Sequence, residues 1–176
     1  MIVFDVEADN LLEDATKIHC LSYTSDGKDY HTLFNYSDMR ELILDQKGLI
    51  GHNIVRYDAP LLEKILGIKI KARLFDTLPM SWVLNYNRPK HKLESFGEDF
   101  GIEKPQIDDW ENLSQDVYAH RCVEDVKINW HLWENLLGRF LYIYNNDKRL
   151  LDKFFRYLEF KISCAAAAEV TGWKLD

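Results

Sequence analysis

The first residues of the chain alternate. Ile2, Phe4 and Val6 are apolar, and Asp5 and Glu7 fall between and after them, in step with Val3. A period of two predicts a strand with one apolar face and a second face on which Asp5 and Glu7 stand together. Thr16 to Thr24 alternates similarly, and Asp26-Gly27 predicts a hairpin turn into a returning strand over Lys28 to Phe34. The period then lengthens. Ser37 is placed to cap a helix over Asp38 to Leu44 with Met39, Leu42 and Ile43 turned inward. Gly48 to Gly51 reads as a short buried strand that delivers the chain into His52-Asn53. A helix follows from Ala59-Pro60, with Pro60 in its first turn, Leu61, Leu62, Ile65 and Leu66 apolar, and Gly67 near its end. Arg73 to Phe75 is a brief strand, and Asp76 or Thr77 caps a helix running towards Asn85. Leu93 to Phe100 is a further helical stretch stopped by Gly101, and Ser114 to Leu137 is a long helix. Past Gly138, the aromatic run Phe140 to Tyr144 leads to a helix over Leu150 to Val170. Leu151, Phe154, Phe155, Leu158 and Ile162 share one side of it, and Gly172 is suited to its end. The sum is an α/β sheet that begins with an antiparallel hairpin.

Composition narrows the class. The 176 residues are 47% hydrophobic and 13% aromatic, enough for a full core and incompatible with a disordered chain. The apolar runs are too short for a transmembrane helix, and Met1 leads into a strand rather than a signal peptide, so a cytoplasmic protein without a membrane partner is expected. Cys20, Cys122 and Cys164 are widely spaced with no CxxC pair, and read as reduced, buried, small hydrophobes. A net charge of −7 argues against a broad electrostatic grip on nucleic acid, though not against a local site where cations neutralise carboxylates.

Asp5 and Glu7 supply the start of such a site. Two residues apart on a strand they are separated by roughly 6.6 Å of rise and repel each other unless a cation lies between them. Two further carboxylates are candidates. Asp58 precedes an apolar helix, where its charge meets the positive end of the dipole, although taken alone an ordinary N-cap is the simpler explanation. On the long helix Cys122, Asp125 and Asn129 form one stripe beside an apolar one of Val126, Trp130, Trp133 and Leu137, placing Asp125 at the edge of a buried face, with a solvated helix residue the simpler explanation for a lone Asp there.

Asp5-Val6-Glu7, the Asn53 to Asp58 segment, and His120 to Asp125 stand in the order of the three motifs of the DEDD exonuclease superfamily. The chain resembles the ribonuclease-H-like 3′–5′ exonucleases, and most of all the proofreading domain of phage-type family A DNA polymerases. The stretches IVFDVEADNLL, GHNIVRYDAPLL, LFDTLPMSWVL, KLESFGEDFGI and CVEDVKINWHLWENLL carry the likeness. It implies a mixed sheet, with three antiparallel strands followed by parallel ones, flanked by helices. It implies a 3′–5′ exonuclease domain over residues 1–140 and a helical extension over 141–176 like the connection to a polymerase domain or subunit. The metal ligands it implies are Asp5, Glu7, Asp58 and Asp125, holding two Mg²⁺ ions, for which Mn²⁺ can substitute; four carboxylates match two divalent ions in charge. Asp76 is kept as an N-cap. The implied substrate is a single-stranded or frayed DNA 3′ end that loses nucleoside 5′-monophosphates, with a role in replication proofreading, in a host bacterial cytoplasm if the origin is phage. An RNA-trimming exonuclease of the same fold, or a silent domain that docks DNA or a polymerase body, are the alternatives.

One position departs from the phage pattern. Where those polymerases carry Tyr, four residues before the last Asp, this chain has Arg121. His120, five before Asp125, has the spacing of the His-containing branch and is the candidate general base, with Tyr118 a second candidate and an exposed helical residue the plain alternative. On an ideal helix His120 lies some 140° from Asp125, so it faces the metals only if the helix is broken or begins near Arg121. By resemblance Asn53 and Tyr57 contact the terminal nucleotides, Tyr57 by stacking or else as core packing. Leu11 and Leu12 wedge against a terminal base or cap the sheet. Lys90-His91-Lys92 with Arg88 either guides the phosphate backbone or is a solvated loop.

Overall fold

The structure is a computed structural model, and describes residues 1–102 and 114–172. A five-stranded sheet has the order β3-β2-β1-β4-β5. Strands β1 (Ile2–Ala8), β2 (Ile18–Thr24) and β3 (His31–Leu33) are antiparallel neighbours, whereas β4 (Gly48–Gly51) and β5 (Arg73–Asp76) extend the other side of β1 in parallel. The antiparallel start followed by parallel strands is the mixed sheet expected.

The alternation in β1 decides which core each residue enters. Ile2, Phe4 and Val6 bury on one face with Met39 and Ile43 of α1 (Tyr36–Asp45) and Leu61, Leu62 and Leu66 of α2 (Asp58–Leu66). Val3 points to the other face and joins Ile50, Val126, Leu132, Trp133 and Phe140. That second core is covered by α3 (Thr77–Leu84), α4 (Leu93–Phe100) and above all α5 (Gln115–Ile143). Asp5 and Glu7 follow Val3 on the same face, so the strand carries them from the core towards the end of the sheet next to α5.

Several element bounds differ from the periodicity, three of them through side-chain hydrogen bonding. The strand β3 begins only at His31, because Asp26 Oδ1 accepts from the amides of Lys28 and Asp29 at 2.9 and 3.0 Å and keeps that stretch in the turn. Strand β2 begins at Ile18, since Asp9 Oδ1 holds the amides of Thr16 and Lys17. The first helix is capped by Asn35, whose Oδ1 accepts from the Ser37 amide at 2.7 Å; Ser37 lies inside the helix. The long helix passes through Gly138 to Ile143, and its buried stripe is wider than the one read from sequence, adding Ile128, Leu132, Leu136 and Phe140.

The final helix, α6 (Lys148–Thr171), is capped by Asp147 and ends at Gly172 with φ 68°. Leu151, Phe155 and Leu158 enter the same core as Val3 and Trp133, with Phe155 edge-on to Phe75. Arg73 on β5 pairs with Asp152, and Arg56 pairs with Glu169 near the far end of the helix. The described part of the 141–176 extension therefore lies on the sheet domain's own core; positions 173–176 fall outside the described residues. Cys20 and Cys122 are buried thiols as expected, whereas Cys164 is exposed on α6, a correction that the small-hydrophobe reading could not foresee. No helix among the described residues is long and apolar enough to cross a membrane.

Candidate metal centre

Strand β1 and helix α5 are more than a hundred residues apart in sequence, and their crossing builds the site. Carboxylate oxygens of Asp5, Glu7 and Asp125 lie within 4.8 Å of one another. Asp125 is buried, and its neighbours on the stripe, Cys122 and Asn129, are more so. Cys122 Sγ donates to the Asp5 carbonyl oxygen at 3.2 Å, tying the helix to the strand one turn from Asp125. All three donors are hard oxygens, which fits Mg²⁺ or Mn²⁺ and not the soft metals that thiolates select.

Asp58 belongs to the same neighbourhood without being one of that trio. It is buried in the first turn of α2, and its carboxyl is pushed up to about 8, first by burial and then by the charges of Asp76, Glu7 and Asp125. The simple capping explanation fails. Tyr57 occupies the N-cap position without a side-chain cap bond, and Asp58 lies inside the helix, its carboxyl accepting from its own amide. A buried carboxyl among like charges, outside the N-cap position, is the kind of group a cation would satisfy.

Asp76 is a contrasting neighbour. It caps α3 as expected, accepting from the Leu78 amide at 3.0 Å. It also accepts from the amides of Asn53 at 2.8 Å and Val55 at 3.3 Å, and so clamps the loop that leads to Asp58. Burial raises its carboxyl to about 6, and those three hydrogen bonds hold it from going further. The clamp was not legible in sequence, because it joins segments over twenty residues apart. The loop it holds is tight. Asn53 has φ 65°, a left-handed conformation that Asn tolerates, and a Cβ on Gly51 would stand 2.7 Å from that of Ile54.

The remaining candidates separate clearly. Asn53 Oδ1 is a buried acceptor with no hydrogen-bond partner among the described residues. Tyr57 is half-buried, its hydroxyl donates to the Asn10 carbonyl at 3.0 Å, and burial with the nearby carboxylates pushes it up to about 12. Leu11 is 74% exposed in the turn after β1, whereas Leu12 packs on the first core. Arg88 is committed to Asp99 and the Ser95 carbonyl, with its guanidinium over Phe96. His91 is held too: Nδ1 meets Ser81 Oγ at 2.7 Å, and its carbonyl accepts from His52 Nε2 at 2.8 Å. Lys90 and Lys92 alone of that basic run are solvent-facing. Beside Asn53, a cleft of about 440 Å³ is lined by His52, Leu78, Trp82, His91 and Lys92.

The base candidates fare differently from the ligands. Helix α5 starts at Gln115 and is unbroken through Asp125, so neither condition for turning His120 inward is met, and His120 is exposed. Tyr118 is buried and stacked on His19, ring centroids 3.9 Å apart. Arg121, next to His120 on this helix, does reach the cluster. Its Nε donates to Glu7 Oε1 at 3.1 Å.

No protein-family profile matches the chain. It is 27% identical, over 78% of its length, to the DNA-directed DNA polymerase of Enterobacteria phage T3, and spans 27% of that polymerase. Among solved structures, Brucella melitensis NrnC with bound Mg²⁺ superposes at a TM-score of 0.69, covering 99% of this chain and 88% of that one at 19% identity. Exonuclease X in complex with 5′ overhanging duplex DNA gives 0.55, with 78% and 91% covered at 12% identity. The chain thus has the ribonuclease-H-like fold of the DEDD-type nucleases and is similar in sequence to part of a phage DNA polymerase.

Proposed function

We propose that this chain is a divalent-metal-dependent 3′–5′ exonuclease that removes nucleoside 5′-monophosphates from a single-stranded or frayed DNA end, in the manner of replication proofreading. The observation that carries the reading is the meeting of Asp5, Glu7 and Asp125 at one end of the sheet, with buried Asp58 beside them. The sequence likeness to a phage polymerase supports DNA over RNA, and a bound Mg²⁺ in NrnC supports the metal.

Asp5, Glu7, Asp58 and Asp125 would hold two Mg²⁺ ions, with Mn²⁺ able to replace them. Such ions supply an activated water and charge stabilisation for the leaving 3′ oxygen. The chain's own share is placement. Asp76 fixes the loop so that Asn53 and Asp58 stay in register, and Asn53 Oδ1 offers an acceptor to the terminal nucleotide. Leu11, exposed beside the first motif, is the wedge against the terminal base, and Tyr57 orders the turn around Asn10 next to it. Exposed Lys90 and Lys92 receive the phosphate backbone. In the reaction water adds to phosphorus, the bond from phosphorus to the 3′ oxygen breaks, and that oxygen takes up a proton. Residues 141–176 are the side from which a polymerase domain or subunit would approach.

A 5′-labelled DNA oligonucleotide and its RNA counterpart, each in Mg²⁺, Mn²⁺ or EDTA, test the reading. The expected result is a ladder shortened from the 3′ end of DNA, absent in EDTA and faster from a mismatched than a matched duplex end, because a mismatch has already unpaired. Shortening of RNA alone would make this an RNA-trimming enzyme. No shortening in either metal would make it a silent docking domain.

A further inference from the structure

Arg121 stands four residues before Asp125, hence on the same side of α5, and crosses to strand β1 to bond Glu7. Both side chains are mostly withdrawn from water, 20% and 13% exposed. A guanidinium does not shed its proton in a protein, so this charge stays within the cluster at any working pH, and Arg121 cannot serve as a base. It answers a problem the cluster creates. Three carboxylates with oxygens this close repel one another when no metal is bound, and a fixed cation on one of them relieves the repulsion. The same charge opposes an incoming ion. Whichever oxygen of Glu7 an ion approached, a like charge would remain a few ångströms away.

We propose that Arg121 is a resident counter-cation of the acidic cluster, a positioning residue that holds Glu7 in the metal-free protein and competes with a divalent ion for it. The inference rests on the metal-centre reading above. It gives Arg121 two effects of opposite sign: it stabilises the metal-free fold and weakens metal binding. A residue that merely orients a ligand has one sign only, because its loss weakens metal binding, by about 10–100-fold at other metal sites.

Calorimetric titration of Mn²⁺ into the metal-stripped whole chain reads this directly, without nucleic acid. The parent, Arg121→Ala, Arg121→Gln, Arg121→Lys and Asp5→Ala are compared, each also melted in EDTA. Arg121→Gln keeps a donor for Glu7 and removes only the charge, which covers the case in which the alanine variant does not fold. The expected result is Mn²⁺ bound about 10-fold more tightly by the alanine and glutamine variants, from loss of a like charge at close range. Arg121→Lys should stay near the parent, and the alanine variant should melt lower in EDTA. Unchanged or weaker Mn²⁺ affinity in the two neutral variants, with parent binding that Asp5→Ala abolishes, overturns the role of Arg121 and leaves the metal centre standing. A parent that binds no Mn²⁺ overturns both.

Discussion

Asp58 and Asp76 are buried carboxylates at the same end of the sheet, each in or beside the first turn of a helix, yet the chain treats them in opposite ways. Asp76 accepts three backbone amides, and its carboxyl is raised only to about 6. Asp58 accepts from its own amide, faces the charges of Asp76, Glu7 and Asp125, and is raised to about 8, chiefly by burial. Burial is nearly equal, so the difference comes from partners. A carboxylate that gathers amides from a neighbouring loop holds that loop in place; one set mainly among other carboxylates raises the local negative charge and is stabilised when a cation arrives. The distinction sorts the acidic residues of this site without reference to motif order. Asp58 falls on the side of the carboxylates grouped with Asp5, Glu7 and Asp125, the proposed metal ligands, and Asp76 falls on the structural side.

The largest effect that would break this division is catalytic. Single replacement of Asp5, Glu7 or Asp125 by Ala, or of Asp58 by Asn, should reduce cleavage of a labelled oligonucleotide about 10³-fold or more, since each removes charge stabilisation worth several kcal/mol. Retained folding, checked by circular dichroism, is part of the expectation. A variant of Asp58 that digests DNA at the parent rate would move it to the class of Asp76.

Stability sharpens the comparison, because the two residues should act with opposite sign. Asp76→Ala strands three amides and should cost about 2–4 kcal/mol, a fall in Tm of about 5–15 °C for a chain this size. Asp58→Asn should raise the Tm of the metal-free protein at pH 8, because it removes a charge that burial disfavours. Equal losses for both variants would erase the distinction.

The pH dependence follows from the same carboxyls. Both are raised, so in the absence of metal the folded protein retains protons that the unfolded chain has released, and stability falls as pH rises. The contribution is intact below the ordinary carboxylate pKa near 4, and is lost through about 6 for Asp76 and about 8 for Asp58. Melting in EDTA should therefore show a decline between pH 6 and 8 that belongs to Asp58, disappears in Asp58→Asn, and is offset by Mg²⁺. A flat profile over that range would remove the case for Asp58 as a strained acid.

The smallest expected effects concern the two base candidates. His120 is exposed on an unbroken helix and Tyr118 is packed on His19, so His120→Ala and Tyr118→Phe should each leave the cleavage rate nearly unchanged. A positioned general base would instead contribute about 10²–10⁴-fold. A loss of that size in His120→Ala would mean that substrate turns the start of α5, and would restore the residue to the reaction.

What the sequence by itself determined is local and periodic. The alternation of Ile2 to Glu7 placed Asp5 and Glu7 on the face opposite Phe4, because a strand has a strict period of two. The helical stripe of Cys122, Asp125 and Asn129 came out buried, because a period of 3.6 is equally strict over so long a helix. Asp76 and Gly101 ended or began helices where their chemistry said they would. The tertiary structure decided what depends on which segments meet. Asn35 outcompeted Ser37 as a cap and Asp26 shortened the hairpin by bonds that periodicity does not record. The contact of Arg121 with Glu7, the hold of Asp76 on Asn53 and Val55, and the exposure of His120 are set by how α5 crosses β1 and how the second motif loop folds beside β5. Charge and burial there come from residues far away in the chain, and a sequence pattern fixes a side chain's face without fixing its neighbours.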